Sequence, residues 1–174
     1  WSDVYFKSNR WTNFTYPDKV VPIVNCNGFL VAGGKRRLER LKSLRDCEKK
    51  WDLVFVTRLY EAGATNGKKH TACMFEALAG LKCRKFLMPI YTREASTKDE
   101  QLGRDIEERL SRLGVEVVHR KLMPMDELWE LQASARLVVL RAGAMRCIPW
   151  RMLDLLCMGA CVVYDATPLP RWPV

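Results

Sequence analysis

Five short apolar runs recur through the last two thirds of this chain with helical patterns between them, and that alternation constrains the fold more than any other feature. The runs are Leu53 to Val56, Phe86 to Ile90, Val115 to Val118, Leu137 to Leu140 and Cys161 to Tyr164. Each has the length of a strand and the near-continuous apolar character of one covered on both faces. Between the second and third runs, Thr97 can cap a helix with Glu100 three residues on; Leu102, Ile106, Leu110 and Leu113 then form one stripe, and Gly114 ends it. Over His70 to Leu81, the residues Ala72, Met74, Phe75, Ala77, Leu78 and Leu81 leave little polar face, so a helix lying beneath other elements is expected. Strands separated by helices return by crossovers rather than hairpins. The expected fold is therefore α/β and Rossmann-like, a parallel sheet with helices on both faces.

Residues 1–50 do not follow this repeat. DKVVPIVNCNGFL contains a strand-like run whose Pro22 suits an edge or an extended connector better than a central strand. Residues 51–174 are expected to form the α/β domain and residues 1–50 a junction between domains. At 174 residues, 48% hydrophobic and 28% charged, the chain has material for one substantial core with the polar cover of a soluble globular domain. It begins at Trp1 without an initiator methionine or a secretory leader pattern, and has no apolar run long enough to span a bilayer, so a piece of a longer protein is expected. Seven cysteines, an odd number without a C-x-x-C pair, point to reduced, cytosol-facing thiols. The two histidines, His70 and His119, stand in no cluster with metal-ligand spacing, and no metal is expected.

Charge is concentrated between Lys35 and Lys50, where KRRLERLKSLRDCEKK has eight basic and three acidic residues and so carries +5 of the formal +9. Leu38, Leu41, Leu44 and Cys47 recur every three residues, which packs one narrow face and turns Arg36, Arg37, Arg40, Lys42 and Lys49 outward. A solvated helix face is the expected outcome, with an anionic membrane surface as the alternative partner. Nucleic acid ranks last, because no aromatics are interleaved with the charges as a stacking platform requires.

Two segments carry possible chemistry. TRLYEAGATNGKKH, after the first run, offers Gly63, Gly67, Lys68 and Lys69 between a strand and a helix, but only three residues separate the glycines, and Lys69 stands where a P-loop needs Ser or Thr for magnesium. The second segment, residues 135–165, places an apolar strand, a turn, a helix bearing Asp154, and a further strand in order. That order sets a helix N-terminus at the carboxyl end of a strand, where open parallel sheets receive nucleotide phosphates.

This second segment resembles the donor-binding, carboxyl-terminal half of GT-B type glycosyltransferases of the group 1 kind, in which a small-residue turn leads into a helix reading roughly W-R-x-x-E-A-x-x-x-G. Trp150, Arg151, Asp154 and Gly159 fall on those places. The resemblance implies that Asp3 to Lys7 close an acceptor half and that a linker leads from there into the donor half. It implies catalytic cations at Arg58 and at Lys68 or Lys69, gripping the donor diphosphate. It further implies backbone N–H groups from Ala144, Met145, Arg146, Cys147 and Ile148, a base pocket at His119 to Leu122, and Asp154 on the ribose hydroxyls. A second carboxylate, which retaining members carry near the turn, would fall at Arg146 or Cys147, neither of which is acidic.

The implied reaction transfers a sugar from a nucleotide-diphosphate donor to a saccharide, lipid-linked or protein acceptor. No cofactor or metal is implied, since fixed cations and a helix N-terminus can stabilise the departing diphosphate. The parent would be cytoplasmic or peripheral to a membrane, and the fragment alone inactive. Two other readings stand beside this one: a nucleotide-binding regulatory module without catalysis, and a polyanion- or membrane-surface module built on residues 35–50.

Overall fold

A computed structural model describes residues 5–7, 20–22, 29–59, 65–91, 97–118, 123–141, 149 and 151–164. The elements in chain order are β1 (Tyr5–Lys7), β2 (Val20–Pro22), α1 (Phe29–Ser43), β3 (Trp51–Leu59), α2 (Thr65–Ala79), β4 (Lys85–Tyr91), α3 (Thr97–Arg112), α4 (Met125–Ala133), β5 (Ala135–Leu140), α5 (Arg151–Cys157) and β6 (Cys161–Tyr164). β1 and β2 pair in parallel as a separate two-stranded sheet, with Pro22 at the end of its strand. The main sheet has the order β4-β3-β5-β6, and every pair in it is parallel. This is the expected Rossmann-like α/β arrangement.

The run at Val115 to Val118 is not a full strand. Val118 makes one parallel bridge to Ile90, and its N–H donates to the Pro89 carbonyl at 2.9 Å. Pro89 has no N–H to offer a neighbour, so a single rung on the outer side of β4 suits its chemistry. Counting that rung, the five runs lie across the sheet in the order 3-2-1-4-5, the order of a doubly wound α/β sheet.

Alternation along the strands divides the core into two layers, because successive side chains point to opposite faces. Leu53, Phe55 and Val139 meet Ala72 and Phe75 of α2, Ile106 and Leu110 of α3, and Val115 on one face. The Phe55 and Phe75 rings lie 4.4 Å apart. On the other face, Val54, Val56, Val138 and Leu140 meet Leu41 and Leu44 near α1, Leu128 and Trp129 of α4, and Leu155 and Met158 near α5. Residues Leu53 to Thr57 of β3 are all buried. Cover is thinner toward β6, where Leu137 is 37% and Val163 48% exposed on the face that α2 and α3 occupy elsewhere.

Several expectations need correction. The helix at His70 to Leu81 is not buried all round: Ala72 and Phe75 are inside, but Cys73 and Ala77 are exposed and Leu81, beyond the helix end, is 46% exposed. Leu113 leaves the α3 stripe, because the helix ends at Arg112 and the turn carries it outward to 50% exposure. Gly114 does end α3, with the Val115 N–H closing on the Leu110 carbonyl at 3.0 Å. α1 is not a connector, since Leu41 and Leu44 belong to the core. The α/β unit therefore begins before β3.

At the amino ends of the strands, Asp52 is held by Arg84, whose backbone N–H and Nη2 lie 3.0 and 3.2 Å from its carboxylate oxygens, and by Arg136 at 3.5 Å. The Arg84 hydrogen bonds keep the Asp52 carboxyl below its ordinary range. A carboxyl whose folded value is lowered stabilises the fold above its unfolded value of about 4, and that contribution disappears as pH falls through the folded value. Asp52→Asn should therefore be less stable than wild type near neutrality, with the gap closing as pH falls below about 4 in urea unfolding. A gap that stays constant through this range would contradict the assignment.

Candidate functional site

The sheet reverses direction of growth between β3 and β5. From β3 the chain crosses through α2 to β4 on one side, then returns past β3 to place β5 on the other. In open parallel sheets, ligands bind outside the carboxyl ends of the strands at such a reversal. Among the described residues the rungs between β3 and β5 run from Trp51↔Ala135 to Val54↔Val138. β3 continues with β4 to Leu59↔Tyr91, and β5 with β6 to Leu140↔Tyr164. Phe55 to Leu59 thus have a sheet partner on one side only among the described residues.

Arg58 lies on that one-sided stretch, in register with Ile90. The chain then enters α2 at Thr65, earlier than expected, so Gly67, Lys68 and Lys69 sit in the opening turns of the helix rather than in the loop before it. The backbone positions of Arg58, Lys68 and Lys69 are thus at the carboxyl end of β3 and the amino end of the following helix. Gly63, His119, Trp150 and the segment Ala144, Met145, Arg146, Cys147 and Ile148 lie outside the described residues.

Asp154 points into the domain and does not lie on the helix surface. It sits in the first turn of α5 and is 1% exposed. Its Oδ2 accepts from Arg37 Nη2 of α1 at 3.1 Å and from the Trp129 indole N–H of α4 at 3.2 Å. The Arg37 guanidinium also lies 4.5 Å from the Trp129 ring centroid. Oδ1 is buried with no hydrogen-bond partner among the described residues, an arrangement that ordinarily costs about 1–3 kcal/mol. After α5, Gly159 takes a left-handed φ of 67°, which lets the Ala160 N–H reach the Leu155 carbonyl at 2.9 Å and turns the chain into β6.

Arg37 and Trp129 were not legible as partners of Asp154. Leu128, Trp129, Gln132 and Ala133 show a buried helical face, but the contact between Arg37 and Asp154 spans 117 residues and leaves no local pattern. Its consequence for the basic run is direct. Arg37 is turned inward rather than outward, and Lys49 donates to the Ala133 carbonyl at 2.6 Å. Arg40 pairs with Glu130, Arg45 donates to the Cys157 carbonyl at 2.9 Å, and Lys35 lies 4.0 Å from Glu39. Among the described residues five of the eight cations therefore have a partner, and four of these partners lie outside the run.

Comparison with known proteins gives a likeness of shape only. No family model matches the chain, and no curated protein matches it. Among solved structures, the N-terminal domain of Candida albicans trehalose-6-phosphate phosphatase is similar with a TM-score of 0.45 and 15% identity, over 80% of this chain and 34% of that one. This chain spans about a third of the length of that chain.

The buried pair makes a prediction about stability. Arg37→Ala would leave the Asp154 charge buried without its counter-ion and should cost about 3–5 kcal/mol in chemical unfolding. The double variant Arg37→Met/Asp154→Leu replaces both charges by apolar groups and should lie closer to wild type than Arg37→Ala does. Full stability of Arg37→Ala would show that the pair is not closed in solution.

Proposed function

We propose that this chain is the donor-binding unit of a GT-B type glycosyltransferase and binds the nucleoside diphosphate of a nucleotide sugar at the carboxyl ends of β3 and β5. The observation that carries the reading is the topological reversal between β3 and β5, whose rungs end at Val54 and Val138, with Arg58 further along β3 at its carboxyl end. The W-R-x-x-D pattern at Trp150 to Asp154 supports it from the sequence side.

In this reading Arg58, with Lys68 or Lys69 from the start of α2, neutralises the diphosphate. As the glycosidic bond breaks, negative charge grows on the leaving phosphate, so fixed cations there stabilise the transition state more than the bound donor. Backbone N–H groups of residues 144–148 and the base pocket near His119 complete the donor contacts, and Asp154 serves the ribose. The acceptor and its binding groups belong to the rest of the parent protein, whose cytosol-facing placement, with or without membrane contact, is part of the same proposal. No helix among the described residues is long and apolar enough to cross a membrane.

A second reading is a nucleotide-binding module without catalysis. The absence of an acidic residue at Arg146 or Cys147 favours it, as does the closed arrangement of Asp154. The surface-binding reading is weakened, because four of the eight cations in the run at 35–50, Arg37, Arg40, Arg45 and Lys49, bond other elements of the domain.

Calorimetric titration of the 174-residue chain with UDP, GDP, ADP and their sugars tests the proposal. One of these ligands should bind, and Arg58→Ala should weaken it at least tenfold, about 1.4 kcal/mol, with little change in thermal stability. Arg36→Ala should leave affinity unchanged. Sugar transfer is expected only from the full-length parent, where acceptor and donor are held together. Binding by Arg58→Ala at wild-type strength would place the phosphates elsewhere.

A further inference from the structure

We propose that Arg37 and Trp129 are positioning residues that orient Asp154 so that one of its oxygens is kept for a hydroxyl of the bound nucleoside. This rests on the nucleotide-binding reading above. Both donors reach the same oxygen, Oδ2, at 3.1 and 3.2 Å, and they come from α1 and α4 rather than from α5 itself. Oδ1 meets no donor among the described residues, although Asp154 is buried.

Arginine–carboxylate pairs are frequently bidentate, with two parallel N–H bonds spread over both oxygens. Here the second bond to Oδ2 comes from the indole, and the guanidinium lies against the ring of that same tryptophan. The two donors brace one another and fix the rotation of the carboxylate. A carboxylate accepts at both oxygens, so this arrangement saturates one side and leaves the other as an acceptor without a donor. Buried acceptors are rarely left so, and a ligand hydroxyl would supply the missing donor. Arg37 and Trp129 then act through Asp154, without touching the ligand. Oδ1 is shielded from solvent in the domain without ligand.

The test compares three ligands on the full chain by calorimetry: a ribonucleoside diphosphate, its 2′,3′-dideoxy counterpart and inorganic pyrophosphate. Wild type should favour the ribonucleotide over the dideoxy form by roughly tenfold, the scale of one charge-assisted hydrogen bond. Trp129→Phe retains a ring beneath Arg37 but removes the N–H, and should reduce that preference to about twofold or less while leaving pyrophosphate affinity unchanged. Arg37→Lys, which keeps the charge without the planar fork, should shift the preference the same way and serves as the test if Trp129→Phe does not fold.

Equal weakening of all three ligands in both variants would mean that the two residues only support the fold, and the proposal falls. It also falls if the variants keep the wild-type preference, or if wild type binds pyrophosphate and both nucleotides without discrimination, in which case the phosphate site stands. If wild type binds none of the three, the nucleotide-binding reading itself fails and takes this inference with it.

Discussion

Every return from one strand to the next in a parallel sheet must cross a face of that sheet, and the rest of this molecule is arranged around that requirement. β3 is the strand most affected, with Leu53 to Thr57 buried between two helical layers. Each layer is assembled from distant segments: α2 and α3 on one face, α1, α4 and α5 on the other. Because the chain adds β4 on one side of β3 and later returns past it to add β5 on the other, the sheet acquires one place where neighbouring connections diverge. The position of Arg58 there is thus a result of strand order, and the same order would hold for many side chains. Chemistry enters only through the residues that happen to stand at that end.

The charged residues follow a different logic from the one their clustering suggests. A run of cations on a helix is usually a solvated face. In α1 and the turn after it, the cations instead bind neighbouring elements: Arg37 reaches α5, Arg40 reaches α4, and Arg45 and Lys49 satisfy carbonyls at the ends of α5 and α4. Cations near helix C-termini complement the partial negative charge of unsatisfied carbonyls. The excess positive charge is therefore in part a fastening system. Packing of Leu41 and Leu44 against the same layer adds the apolar half of that attachment.

The sheet was legible because its signal is local. Leu53 to Val56, Phe86 to Ile90, Leu137 to Leu140 and Cys161 to Tyr164 all fall within strands of the main sheet. Strand ends were harder: β3 extends through Thr57, Arg58 and Leu59, where polar residues dilute the apolar pattern while backbone pairing with β4 continues. Val115 to Val118 looks like a strand because it is apolar and partly buried, yet among the described residues it makes one rung, beside a proline of β4. The outward turn of Leu113 and Leu81 reflects helix ends that periodicity alone does not locate. In the candidate site, the order strand, turn, helix, strand around Asp154 could be read directly. Its buried partners could not, since a carboxylate in a helix looks the same whether a ligand, water or an arginine more than a hundred residues away completes it.

The attachment of α1 has a consequence for where this molecule can be divided. Composition suggests a cut just before β3, where the basic run ends and the strand and helix alternation begins. A chain starting at Trp51 would keep the entire parallel sheet, yet it would strip Leu41 and Leu44 from one layer and take the guanidinium away from Asp154. Its apolar floor would meet water, and a carboxylate would remain in the interior without its counter-ion. The smallest autonomous piece of this protein is thus larger than its sheet, and its amino-terminal border lies ahead of Arg37.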